Sequence, residues 1–88
     1  MNIVFHRQFL KYYKKRIKPH PKLVSKYSER LHLWEKDRTI PSLKDHQLKG
    51  NKAGYRSFWV AGDVRVVYKM VQPDTAEFYD IGSHNQVY

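Results

Sequence analysis

Two histidines, His46 and His84, bracket the C-terminal half of the chain. Between them stand the guanidiniums of Arg56 and Arg65 and the carboxylate of Asp63. An imidazole titrates near about pH 6.5, so one copy can take a proton at neutral pH while another gives one. An arginine adds a planar fork of donors that fits a phosphate. A base for a 2′-hydroxyl, an acid for a departing 5′-oxygen and a cation beside pentavalent phosphorus are what RNA needs to be cut by its own hydroxyl. Asp63 follows Gly62 and serves a turn as well as it would serve chemistry. Alternation along Val64 to Val71 places Arg65 opposite Val64, Val66 and Tyr68, either facing solvent or aimed at phosphate. The final residue, Tyr88, offers a stacking ring on condition that the last strand holds it near the histidines. His6, His20 and His32 read as structural or solvated, and Trp34 and Trp59 as packing.

Other chemistries have less support. No two histidines lie three or four residues apart and the carboxylates are scattered, so no metal site and no cofactor is expected. A serine nucleophile would lack its elbow motif, and Lys49 to Gly54 is not a phosphate-binding P-loop. Cysteine is absent, which removes disulfides and zinc-finger ligand sets.

The positioning elements follow from hydrophobic spacing. Ile3-Val4-Phe5 is a short strand candidate. Phe9, Tyr13 and Ile17 recur every four residues, which predicts a helix from His6 to Lys18 with Arg7, Lys11, Lys14, Lys15 and Lys18 on its far side. Pro19-His20-Pro21 ends it. A second helix from Pro21 or Lys22 to about Asp37 carries the stripe Leu23, Tyr27, Leu31 and Trp34, and should pair with the first as a hairpin. Arg38 to Ala53 has no period and reads as an ordered loop anchored by Ile40, Leu43 and Leu48. Strands are expected at Tyr55 to Val60, Val64 to Val71 and Ala76 to Ile81, joined by short turns, with the middle one central. The fold class is therefore α+β: an N-terminal helical hairpin on a twisted, mainly antiparallel sheet of about four strands, as one domain over residues 1–88.

The net charge of +9 is uneven: residues 1–56 hold 15 of the 17 Lys/Arg and 4 of the 8 Asp/Glu, net +11, leaving −2 for residues 57–88. Such a basic half, with 15% aromatic residues, suits a polyanion whose bases can stack. Lys49, Lys52 and Arg56 join the helix lysines as RNA-binding expectations. No secretory signal or membrane-length apolar run is present, so a soluble cytoplasmic protein is expected, with no membrane partner.

Asp45-His46-Gln47-Leu48-Lys49-Gly50, Gly54-Tyr55-Arg56, Asp63-Val64-Arg65-Val66-Val67-Tyr68-Lys69 and Ile81-Gly82-Ser83-His84-Asn85-Gln86-Val87-Tyr88 together resemble the RelE/ParE superfamily, and within it the YafQ-type mRNA interferase toxins of type II toxin–antitoxin systems. The likeness is detailed over about residues 44–88 and architectural before them. It implies metal-independent mRNA cleavage in the ribosomal A site, leaving a cyclic phosphate and a 5′-hydroxyl. His46 matches the general-base position, His84 the C-terminal catalytic histidine, Arg65 the arginine that steadies phosphorus, Asp63 the aspartate assisting the pair, and Tyr88 the aromatic that stacks on a base. Trp59 departs from the pattern, standing where YafQ has another active-site histidine. The resemblance implies an acidic antitoxin, the ribosome and mRNA as partners, and a free monomer. A ParE-like gyrase poison or a silent RNA-binding module are the alternatives.

Overall fold

The computed structural model describes all 88 residues. Its elements are β1 (Asn2–Phe5), α1 (Arg7–Tyr12) running into a π-helical turn (Tyr13–Ile17), α2 (Pro21–Lys36), β2 (His46–Gln47), β3 (Arg56–Ala61), β4 (Val64–Gln72), β5 (Thr75–Gly82) and α3 (His84–Val87). Short 3-10 turns at Pro41–Leu43 and Gly50–Lys52 sit on either side of β2.

The sheet has five strands rather than about four, in the order β1-β5-β4-β3-β2. The β3–β4 and β4–β5 hairpins are antiparallel as expected, and β4 is central. The extra members are the two-residue β2, antiparallel to β3, and β1, which pairs parallel with β5. Gly62, at φ 52°, supplies the left-handed conformation that the two-residue β3–β4 turn needs.

The first helix is not regular to its end. The Lys18 amide reaches back five residues to the Tyr13 carbonyl at 2.9 Å, adding a residue to the last turn. Phe9 and Ile17 remain buried, while Arg16 turns inward to Asp80 at 3.3 Å and to the Ile81 carbonyl at 3.1 Å. The second helix starts at Pro21, whose missing amide donor costs nothing at a first turn.

One core lies between the helices and the sheet, built on Phe9, Ile17, Tyr27, Trp34, Leu43, Phe58, Val60, Val66, Tyr68 and Phe78. The Phe78 ring packs against Trp34 at 5.2 Å, Phe9 at 5.6 Å and Phe58 at 5.9 Å. Full burial of such a ring contributes about 1.5–3 kcal/mol. Since Phe58, Tyr68 and Phe78 face the helices, alternation turns Tyr55, Ser57 and Trp59 of the β3 segment and Arg65, Val67 and Lys69 of β4 to the other face. There α3 covers part of the sheet, with Val87 buried, and the rest is open. No helix is long and apolar enough to cross a membrane.

Candidate functional site

The open face carries a cleft of about 130 Å³ lined by Lys44, His46, Ser57, Trp59, Gly62 and Arg65. His46 reaches it because β2 pairs with β3, with His46 directly across from Ser57. Its ring is exposed, and Nδ1 lies 2.8 Å from the Lys44 carbonyl. A carbonyl can only accept, so Nδ1 carries the proton and Nε2 of the neutral ring keeps a lone pair. Lys44 is the one non-glycine residue at positive φ, 52°, a backbone bend that turns its carbonyl toward the imidazole.

Arg65 forms the other wall and joins the remaining candidates. Its Nη2 lies 3.1 Å from Asp63 Oδ1, its Nε 3.4 Å from the Asp63 carbonyl, and its Nη1 3.5 Å from His84 Nδ1. A guanidinium only donates, so this contact makes His84 Nδ1 the acceptor and leaves the neutral ring's proton on Nε2. Asp63 Oδ2 accepts from the His84 amide at 3.2 Å, so a single carboxylate orients both the arginine and the histidine segment.

Tyr88 is held by a helical turn, not by the last strand. A capping box between Ser83 and Gln86 starts α3, and Gly82 just before it has no room for a side chain: a Cβ there would stand 2.6 Å from Gln86 Oε1 and 2.8 Å from Arg16 Nη1. The Tyr88 hydroxyl donates to Ser57 at 2.9 Å and its ring meets His84 edge-on at 4.6 Å, with the Arg65 guanidinium 5.5 Å away. The residue as a whole still keeps 40% of its exposure. His46, Asp63, Arg65, His84 and Tyr88 thus gather on one sheet face.

The basic candidates divide. Lys49 and Lys52 line a neighbouring hollow of about 210 Å³ with Leu48, Asn51 and Tyr88. Lys11, Lys14, Lys15 and Lys18 are exposed on the helical layer and line no cleft with His46. Arg56, expected at an RNA surface, is committed inward. Its Nε pairs with Asp45 Oδ1 at 2.7 Å. Burial works against its charge, but the bond and charge of Asp45, with Tyr68, raise its pKa overall.

Ser57 and Asp45 escaped the sequence reading, and Trp59, read there as packing at a position where the YafQ pattern has a histidine, lines the cleft. Ser57 is buried and anchors Tyr88. Trp59 is a cleft wall: its Nε1 donates to the Gly62 carbonyl at 2.8 Å, and the Arg30 guanidinium stacks 4.5 Å from its ring. Asp45 is the hidden support. Its carboxylate, 2% exposed, accepts from Arg56, from Trp34 Nε1 at 3.2 Å and from the Tyr68 hydroxyl. It therefore ties α2, β3 and β4 to the residue that precedes His46. Its only sequence signal was adjacency to His46.

A family model described as a bacterial toxin of type II toxin–antitoxin systems, YafQ, matches residues 1–88. Among solved structures, a YafQ histidine-to-glutamine mutant from E. coli is 26% identical with a TM-score of 0.82, the match covering 99% of this chain and 97% of that one. YafQ in the E. coli DinJ–YafQ complex is 29% identical with a TM-score of 0.76 over the same shares. A YoeB/ParE toxin from Agrobacterium tumefaciens, at 21% identity and TM-score 0.78 over 96% of this chain and 99% of that one, shares the fold. Comparison with curated proteins gives no match.

Proposed function

This chain belongs to the YafQ family of type II toxin–antitoxin toxins, and from that premise we propose that it is an endoribonuclease that cuts mRNA on the ribosome. The observation that carries the reading is that two histidines, His46 and His84, stand on either side of the Arg65 guanidinium on one sheet face. His46 keeps a free Nε2 lone pair at the cleft, as a base requires, and His84 stands beside Arg65, where its imidazolium form serves as the acid. In the proposed step His46 takes the 2′-hydroxyl proton as that oxygen attacks phosphorus. Arg65 stabilises the phosphorane's added charge, and the His84 imidazolium gives a proton to the departing 5′-oxygen, becoming neutral imidazole. The products are a 2′,3′-cyclic phosphate and a 5′-hydroxyl, with His46 left protonated and His84 deprotonated until the two exchange protons with water. Asp63 holds Arg65 and His84 in register, and the exposed Tyr88 ring offers a base a stacking surface.

Primer extension on translated mRNA after induction tests this. Codon-positioned breaks are expected, reduced by roughly a hundred- to ten-thousandfold in His46→Ala and in His84→Ala. Breaks that persist in both variants would remove acid–base cutting. DNA damage with no mRNA breaks would point to gyrase instead.

The partner proposed for the free toxin is an acidic antitoxin, as solved YafQ is found with DinJ. Lys11, Lys14, Lys15 and Lys18 are assigned to ribosomal RNA, away from the cleft. Reversing their charge should flatten the salt dependence of ribosome binding by about 0.7–0.9 in log–log slope for each phosphate left unneutralised. An unchanged slope in the quadruple variant would refute that assignment.

A further inference from the structure

Beyond Tyr88 the open sheet face continues into a strip of packed rings with a lysine at each end. Lys52 shares the hollow with Tyr88, and its Nζ stands 5.9 Å from the Tyr79 ring. The Tyr79 ring lies 5.3 Å from Tyr55 and 4.6 Å from His6. The Lys69 Nζ stands 5.6 Å from the Tyr55 ring at the far end. Tyr55, Tyr79, Lys52 and His6 are half-buried and Lys69 is exposed. Glu77, opposite Lys69 in the β4–β5 register, is the carboxylate at that end, while the neighbouring Asp80 is engaged by Arg16 and Gln8.

Nothing in the catalytic proposal uses these residues. A pair of rings flanked by ammonium groups suits an unpaired polynucleotide, since bases stack on rings while phosphates lie near the cations. The strip is also continuous with the cleft. Tyr88 bonds Ser57 in the cleft wall and lines the hollow that Lys52 shares, so one side chain links the cleft to the strip.

We propose that the strip formed by Lys52, Tyr79, Tyr55 and Lys69 binds the unpaired stretch of the substrate RNA that flanks the cut. This rests on reading the cleft as an RNA-cutting site. The strip sets how much single strand beside the codon the toxin holds, and it is open to any base because every base has a stacking face.

The test uses the full chain carrying His46→Ala, which stops cutting and lies outside the strip. Its affinity for a short oligouridylate is compared with that for versions lengthened on the 5′ or the 3′ side. Lengthening on one side should lower Kd by about tenfold, the order of one added base stack. That gain should vanish when Tyr55→Leu and Tyr79→Leu are added, and survive Tyr55→Phe with Tyr79→Phe. If the leucine pair fails to fold, as judged by thermal unfolding, Lys52→Gln with Lys69→Gln on the outer rim should lower both the gain and its salt dependence.

No gain from either extension overturns the proposal, and so does a gain that survives every strip variant. Weaker ribosome binding by the leucine pair, with no effect of RNA length, would assign the strip to ribosomal surface instead and equally overturn it. Failure of the cutting mechanism is read separately, from the histidine dependence of breaks in translated mRNA.

Discussion

Two aspartate–arginine pairs stand next to cleft residues in the chain, and they are built in opposite ways. Asp45 and Arg56 meet at 2.7 Å with the Asp45 side chain 2% exposed, and Trp34 and Tyr68 supply its remaining donors. Asp63 and Arg65 meet at 3.1 Å with the Asp63 side chain 60% exposed, and the arginine keeps contact with His84. A buried carboxylate needs every donor it has, since water cannot replace a missing one. An exposed pair gains little from being joined, so an incoming phosphate can compete for the arginine at small cost. The first pair holds the scaffold under His46; the second holds a cation that is free to change partners.

The largest effect expected from this contrast lies at Asp45. Asp45→Ala leaves the Arg56 charge, the Trp34 amine and the Tyr68 hydroxyl without their acceptor, at a cost of about 3–5 kcal/mol. Folded domains hold only about 5–15 kcal/mol, so urea unfolding should show a protein near the edge of stability. Asp63→Ala should move the same midpoint by less than about 0.5 kcal/mol. Equal losses at the two positions would break the comparison.

Next in size is the effect of Arg65 on rate. Arg65→Ala should lower cleavage by roughly a hundred- to a thousandfold, the usual cost of removing one preorganised donor from a developing anion. Its urea midpoint should stay close to that of the unsubstituted chain. Arg56→Ala should show the reverse, losing stability first. An Arg65→Ala protein that unfolds as readily as Arg56→Ala would mean that the exposed pair is also structural.

The contrast also explains what could be read from sequence. Alternation in Val64 to Val71 sent Arg65 to the face opposite Val64, Val66 and Tyr68, and the short turns gave the β3–β4–β5 order, while the family resemblance, not the spacing, implied that His46, Asp63, His84 and Tyr88 join it. Asp45 was not legible, because its donors come from positions 34, 56 and 68 and leave no periodic trace. The β1–β5 pairing was hidden for the same reason: Ile3 to Phe5 reads as a strand, but nothing local names a partner more than 70 residues away. The π-helical turn was masked because Phe9, Tyr13 and Ile17 keep the spacing of an α-helix. No element was expected beyond Ile81, although Ser83 and Gln86 carry capping-box spacing.

Tyr68 gives the smallest effect and the sharpest test of the buried pair, because its signature depends on pH. Tyr68→Phe keeps the core ring and removes one donor from Asp45, a loss of about 1.5–3 kcal/mol at neutral pH for a hydrogen bond to a charged group. Burial, and then the bond to Asp45, hold the Tyr68 phenol above its ordinary value of 10.0, against a smaller pull from Trp34 and Arg38. In the unfolded chain that phenol ionises at its ordinary value, so above about pH 10 the folded form keeps a proton that the unfolded form has shed. Its contribution is therefore complete below that pH and fades as pH rises toward the raised folded value. Tyr27 is raised as well, by burial first and then by Tyr13 and Glu35, so phenylalanine at position 68 should reduce the alkaline loss of stability without abolishing it. Urea midpoints at about pH 8 and about pH 11 should show the gap between the two proteins narrowing at the higher pH. A gap that stays constant would mean that Tyr68 acts on Asp45 by packing alone, and that the buried pair relies on Arg56 and Trp34 for its donors.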